Sequence, residues 1–210
     1  MSAPLARRER DDLCDLALTL GPDAPTLCEG WDAQDLVTHL LVRERRPVSS
    51  LGNVVPALSG LTDRAMARGR ERSFGVQVEE LRRPAPPLRL VPVLDRLMNT
   101  FEMVVHHEDL RRAQPAWEPR VLPTADADVL WSQLSKGAAF LGRRLPVPTV
   151  VRRSDTGATA TLRKGPEPVV VSGPVVELVL FLFGRHQTRG LAFDGTPEAV
   201  DRLRGADLGV

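Results

Sequence analysis

LRLVPVLDRLMNTFEMVVHHEDLRRA, residues 88–113, is the stretch on which the reading of this chain turns. Leu90, Leu94, Leu97, Phe101, Val104 and Val105 fall on one stripe at helical period, which predicts a helix from Leu88 to about Ala113 with Pro92 in its first turn. At about 100° per residue, Glu102 and His106 lie one turn apart on one face, while the adjacent His107 points away from both. Asp95 and Asn99 extend the Glu102–His106 stripe beside the apolar one. Arg96, Thr100, His107 and Arg111 are expected to form the solvent face.

Upstream, LARRERDDLCDLALTL (5–20) places Leu13, Leu16, Ala17 and Leu20 on one helical face, and Gly21-Pro22 stops it. Asp32 is a candidate N-cap with Asp35 three residues later, opening a second helix that carries Leu36, Val37, Leu40 and Leu41 and ends near Arg46, before Pro47. Residues 48–90 mix Pro and Gly with a weak helical pattern, which suits one irregular helix or two short ones. A further long helix is expected over Ala125–Arg144, with Val129, Leu130, Leu134, Phe140 and Leu141 in the core. After LPVP (145–148) the pattern changes. VVRR, GATATLRK and VVVSG are short β-branched segments, GPVVELVLFLFGR reads as an apolar helix, and RGLAFDG as another strand. The expected organisation is a helical domain over 1–145 and a small α+β domain over 146–210.

The 210 residues include 28 basic and 27 acidic side chains, a formal net charge of +1, which gives no electrostatic reason to expect nucleic acid or an anionic membrane as partner. No apolar run approaches the roughly 20 residues of a membrane span, and MSAPLARRERDD lacks the apolar centre of a secretory signal, so a cytoplasmic protein is expected. Two cysteines, Cys14 and Cys28, make no disulfide framework and are read as reduced. Lysine occurs only at Lys136 and Lys164, and tyrosine not at all.

His39 sits at the edge of the second helix's apolar face and can look inward. If that helix packs against the one carrying Glu102 and His106, two imidazoles and one carboxylate converge, the ligand set of a catalytic zinc site with a position left open. Asp35, one turn before His39, and Asp109, just after His106, are candidates to orient the imidazoles. Spacing leaves other readings open: a Glu–His pair four apart also suits a surface pair, an inward histidine also suits a core, and Asp35 also suits a helix N-terminus. Arg43, Arg45 and Arg46 are candidates for holding a carboxylated substrate or a thiol cosubstrate, or are a solvated helix end that complements the helix dipole. Trp31 reads as a packing residue and Cys28 as buried filler; neither is assigned to the site.

TLCEGWDAQDLVTHLLVRERRP, with its C-x-G-W, D-L-V-x-H and R-E-R-R-P, resembles the mycothiol-dependent maleylpyruvate isomerase family of DinB-like proteins. FEMVVHHEDLRRAQPAWEP carries the second half of the likeness, E-x-x-x-H followed by H-x-D-L, and an actinobacterial branch has the same RERRP and VHHEDLRRAQP runs. GPVVELVLFLFGR resembles the family's C-terminal domain, which is similar to sterol carrier protein-like folds. The resemblance implies an α+β protein, a DinB-like four-helix bundle followed by a small α+β domain, with metal ligands at His39, Glu102 and His106. It further implies a divalent metal, usually Zn²⁺, and a low-molecular-weight thiol such as mycothiol as cosubstrate. The activity it implies is thiol transfer or isomerisation of a small electrophile, in the isomerase by thiolate addition to a conjugated double bond, rotation and elimination. Two alternatives use the same residues differently: a metal-binding protein without turnover, and a carrier whose C-terminal VVELVLFLF lines a pocket for an apolar ligand.

Overall fold

The computed structural model describes residues 3–45, 59–83 and 92–209, which form helices and one four-stranded sheet. The class is α+β. The chain divides into two compact units between Trp117 and Glu118. Of the residues singled out above, Arg46, Pro47, Leu88 and Leu90 lie outside the described residues, as do the side chains of Leu94, Asp95, Arg96 and Leu97.

In the first unit, α1 (Leu5–Leu20) buries Leu13, Cys14 and Ala17 and ends at Gly21, whose φ of 89° returns its N–H to the Ala17 carbonyl. Leu20, expected on the same face, is 36% exposed because the helix ends there. α2 (Ala33–Arg45) opens on a reciprocal cap: the Asp35 N–H donates to Asp32 Oδ1 at 2.9 Å and the Asp32 N–H to Asp35 Oδ2 at 3.4 Å. Among its described residues, the region of weak pattern contains α3 (Ser59–Arg70) and α4 (Phe74–Arg82). A Cβ at Gly69 would lie 2.1 Å from Thr38 Cγ2, so glycine is what lets the end of α3 close on α2. α5 (Pro92–Arg112) begins at the expected proline, whose missing N–H costs nothing in a first turn.

α1 packs on α4 and α5, and α2 on α3 and α4, around Leu13, Leu36, Leu40, Val78, Leu81, Met103 and Leu110. Buried Arg10 ties three helices together by donating to Glu44 of α2 and to the Leu81 carbonyl at the end of α4. One expectation for α5 is overturned. Thr100 and His107, read as solvent-facing, are 3% and 5% exposed, because α1 covers that face. A single helix has no way to announce a second apolar neighbour when polar residues line the contact.

The second unit starts with α6 (Thr124–Lys136), upstream of the change in pattern at residue 145. That change marks where the sheet begins, whereas the packing unit begins earlier, because α6 lies against the later helix α8 (Val175–Leu182). The long helix expected to Arg144 breaks at Gly137 and continues as α7 (Ala138–Leu141) and a 3₁₀ turn, Gly142–Arg144. Leu130, Leu134 and Leu141 are buried as expected. Val129 and Phe140 are 44% and 40% exposed, since the break moves Phe140 off the apolar stripe and its ring instead carries the Arg143 guanidinium at 3.8 Å.

β1 (Thr149–Arg153), β2 (Thr159–Arg163), β3 (Val169–Gly173) and β4 (Ala192–Asp194) lie in the order β2-β1-β3-β4. β1 and β3 are parallel, and the outer pairs are antiparallel. α8, buried along most of its length, packs against β1 and β3 and forms the core of this unit. A last helix, α9 (Pro197–Arg204), follows a Thr196 cap whose hydroxyl accepts the Ala199 N–H. The Thr-Pro-Glu at its start is an N-terminal signature that the sequence reading passed over. No helix among the described residues is long and apolar enough to cross a membrane.

Candidate metal centre

α2 and α5 of the first unit bring His39, Glu102 and His106 together, with one nitrogen or oxygen from each lying within 4.8 Å of the others. Glu102 Oε2 is 3.2 Å from His106 Nε2 and 4.0 Å from His39 Nε2, and the imidazole centroids are 5.3 Å apart at 71°. The helical spacing does this directly. Glu102 and His106 are one turn apart on α5, and His39 faces them from α2. The side chains are 15%, 14% and 9% exposed for His39, Glu102 and His106, so the cluster is sheltered yet reached by solvent.

Each donor is held from behind. His106 Nδ1 lies 2.9 Å from Asp109 Oδ2, and Asp109 is fully buried, so the imidazole keeps a proton on Nδ1 and turns Nε2 to Glu102. Trp31 packs its ring 4.9 Å from that of His39. Arg43 donates to Asn99 Oδ1 at 2.9 Å and sits 3.5 Å from Glu102 Oε1, which pins one carboxylate oxygen and leaves Oε2 turned to the imidazoles. Oε2 itself is buried and accepts no hydrogen bond while His106 Nε2 is unprotonated. An orphaned carboxylate oxygen between two imidazole nitrogens is the arrangement that a divalent cation satisfies, and the donor set suits such an ion.

The electrostatics follow from burial opposed by charge. Burial pushes the Glu102 carboxyl up, but His106, Arg43 and His39 beside it outweigh this and hold it at about 2. Burial pushes His106 down, yet Asp109, Cys28 and Glu102 together raise it well above its ordinary value of 6.5. Without an ion, the cluster is an ionised carboxylate against an imidazole that readily holds a second proton.

Of the two proposed orienting acids, Asp109 is in position and Asp35 is not used that way. Asp35 caps α2 and accepts from Arg70 Nε at 2.7 Å. Arg45 is committed to the end of α4, donating to the Glu80 and Arg83 carbonyls, whereas Arg43 flanks the cluster. Two residues left out of the site on sequence grounds belong beside it. Trp31 contacts His39, and Cys28 Sγ donates to Asp109 Oδ2 at 3.3 Å and lies 4.0 Å from His106 Nδ1. They sit in a loop without periodicity; only their place just before the α2 cap hinted that they return to it.

Two further groups among the described residues have donor atoms within 4.8 Å: Cys28, His106 and Asp109, which shares His106 with the first, and Glu9, Asp12 and His107. There His107 Nδ1 and Glu9 Oε2 are in a direct 2.8 Å hydrogen bond, both side chains buried, with Asp12 exposed.

No family model matches the sequence, and no curated protein matches it. Among solved structures, the chain is similar to a crystal structure of the mycothiol-dependent maleylpyruvate isomerase, with a TM-score of 0.61 and 16% identity over 90% of each chain. It is also similar to a histidine-to-alanine mutant of that enzyme, with a TM-score of 0.52 and 18% identity over 90% of each chain. At such identities the likeness is one of architecture: this chain has the fold of the mycothiol-dependent maleylpyruvate isomerase.

Proposed function

We propose that this protein is a metal-dependent thiol transferase or isomerase acting on a small electrophilic metabolite, with His39, Glu102 and His106 as the metal ligands. The observation that carries this is the buried, unpartnered Oε2 of Glu102 between two imidazoles on a fold shared with a thiol-dependent isomerase. On this reading the helical unit is a DinB-like four-helix bundle, the sheet unit is a sterol carrier protein-like domain, and the ion is Zn²⁺. A bound divalent cation would supply acidity, so that a thiol of the mycothiol type reacts as a thiolate near neutral pH.

The chain's own residues have separable tasks. Asp109 keeps the proton at His106 Nδ1 and so presents the Nε2 lone pair. Arg43 sits beside Glu102 Oε1 and, after His106, helps keep the carboxylate ionised. Trp31 fixes the plane of His39 and shields one side of it from water. The alternative of an apolar-ligand carrier is not favoured, because α8 spends its apolar surface on packing within its own unit.

Metal analysis of the purified protein tests the ligand set. About one divalent ion per chain is expected in the parent and a marked loss in His39→Ala; equal metal in both removes His39 from the site. Thiol consumption across candidate electrophiles then separates an enzyme from a metal-binding protein without turnover, since the latter consumes none with any of them.

A further inference from the structure

The second unit carries a charged cleft that the metal chemistry does not use. It opens between the end of α6, α7 with its 3₁₀ turn, and β2, with a volume of about 530 Å³. That falls within the range of small-molecule sites and is too small for a macromolecular groove. Lys136, Arg143, Arg163 and Lys164 line it, with Thr161, and no acidic residue is among its walls. Of 28 basic residues only two are lysines, and both are here.

These cations are not consumed by the fold. Among the described residues neither lysine has an ion-pair or hydrogen-bond partner, and Arg143 rests on the Phe140 ring instead of on a carboxylate. Arg163 gives one guanidinium nitrogen to the Leu145 carbonyl at 2.9 Å, which fixes the group at the cleft and leaves its charge unneutralised. The Ser135 hydroxyl, in the same wall, is buried without a hydrogen-bond partner. Buried Arg153 in β1 of the same unit, by contrast, is closed by both Asp128 and Asp155. Four exposed like charges along one concavity raise the local positive potential, which draws a ligand of opposite charge.

We infer that this cleft is a binding site for a small anion bearing at least two negative charges, phosphoryl or dicarboxylate, held by Lys136, Lys164, Arg143 and Arg163. Two ammonium groups and two guanidinium groups suit a compact dianion, and Thr161 adds a hydroxyl donor. A monoanion neutralises too little of the charge to be held against chloride.

Calorimetric titration of the full-length protein in chloride buffer, with inorganic phosphate, succinate and acetate as probes, tests this. Saturable binding of one phosphate or one succinate per chain is expected, and the tighter of the two identifies phosphoryl or carboxylate chemistry. Acetate should not saturate. In Lys136→Gln/Lys164→Gln the affinity should fall roughly tenfold or more, as expected for removing two charges from a charge-assisted site. Lys164→Gln alone, outside any helix, should give a smaller loss in the same direction. Arg202→Gln, an exposed charge change on α9, and His39→Ala, which disables the metal centre, should both bind as the parent does. Overturning results are failure of both dianions to saturate, acetate binding as tightly as either, an affinity unchanged in the double variant, or loss of binding in His39→Ala.

Discussion

Two histidines adjacent in sequence, on two faces of one helix, divide the work of α5. His106 and His107 are both buried, and each directs Nδ1 to a buried carboxylate, Asp109 at 2.9 Å and Glu9 at 2.8 Å. What separates them lies around the pair. His106 has its Nε2 beside a carboxylate oxygen without a hydrogen bond and a second imidazole from α2, whereas the Glu9–His107 contact is a closed bond between α1 and α5. A buried His–carboxylate pair is therefore the common ground state of both faces, and the unsatisfied oxygen alone marks one of them as a place for an ion.

The strongest way to break this comparison is Glu102→Ala. It removes the orphaned oxygen, and metal affinity should fall by on the order of 100-fold or more, beyond the effect of losing a partner behind a ligand. Retention of metal at parental affinity would put the ion elsewhere.

Asp109→Asn is the next most informative change, because it leaves all three donors and removes only the charge behind His106. An affinity loss of about 10- to 100-fold is expected, with full occupancy regained at high metal concentration. A loss that high metal does not restore would mean that Asp109 holds the fold of this region instead.

The pH dependence sharpens the contrast further. With its folded value raised above 6.5, metal-free His106 carries a proton that an ion must displace. Metal affinity should therefore rise about tenfold per pH unit through 6.5 and level off only above His106's raised value. Metal-free stability runs the other way: the contribution of His106 is fully present below 6.5 and is lost as pH rises through the raised value. Glu102, held at about 2, stays ionised throughout and adds no break. A metal titration that levels off at 6.5 would show that Asp109 and Glu102 do not raise His106.

The smallest effect is expected on the other face. Glu9→Gln keeps an oxygen to accept from His107 and loses only the charge, so it should lower stability to urea by no more than about 1 kcal/mol and leave metal content unchanged. Loss of an ion with this variant would make Glu9, Asp12 and His107 a second metal group and dissolve the distinction between the faces.

Much of the candidate centre was legible because helical period is geometry: four residues from Glu102 to His106 is one turn, and the place of His39 beside Leu40 and Leu41 puts it at the edge of the apolar face of α2, from which it can look inward. Asp109 was legible for the same reason. His107 was not, because its burial depends on α1, whose contribution there is the polar Glu9 rather than an apolar residue that a periodic pattern would reveal. Cys28 and Trp31 were missed since a loop has no period. Phe140 was misplaced because a helix over Ala125–Arg144 was assumed unbroken, while Gly137 interrupts it and a Cβ at Gly142 would lie 1.9 Å from the Leu162 carbonyl oxygen of β2. The strands were read correctly from β-branched runs, although their order and the parallel pairing of β1 with β3 are tertiary facts.

The loop that carries Cys28 and Trp31 is also fastened through its backbone: the Leu27 N–H donates to the Asp109 carbonyl at 3.1 Å, and Gln114 Nε2 reaches the Pro25 carbonyl at 3.1 Å. The same residue thus steadies an imidazole with its side chain and clasps the loop with its main chain. Deuterium uptake at the Leu27 amide becomes a gauge of how tightly this corner is shut, and it should slow when an ion locks His106 in place.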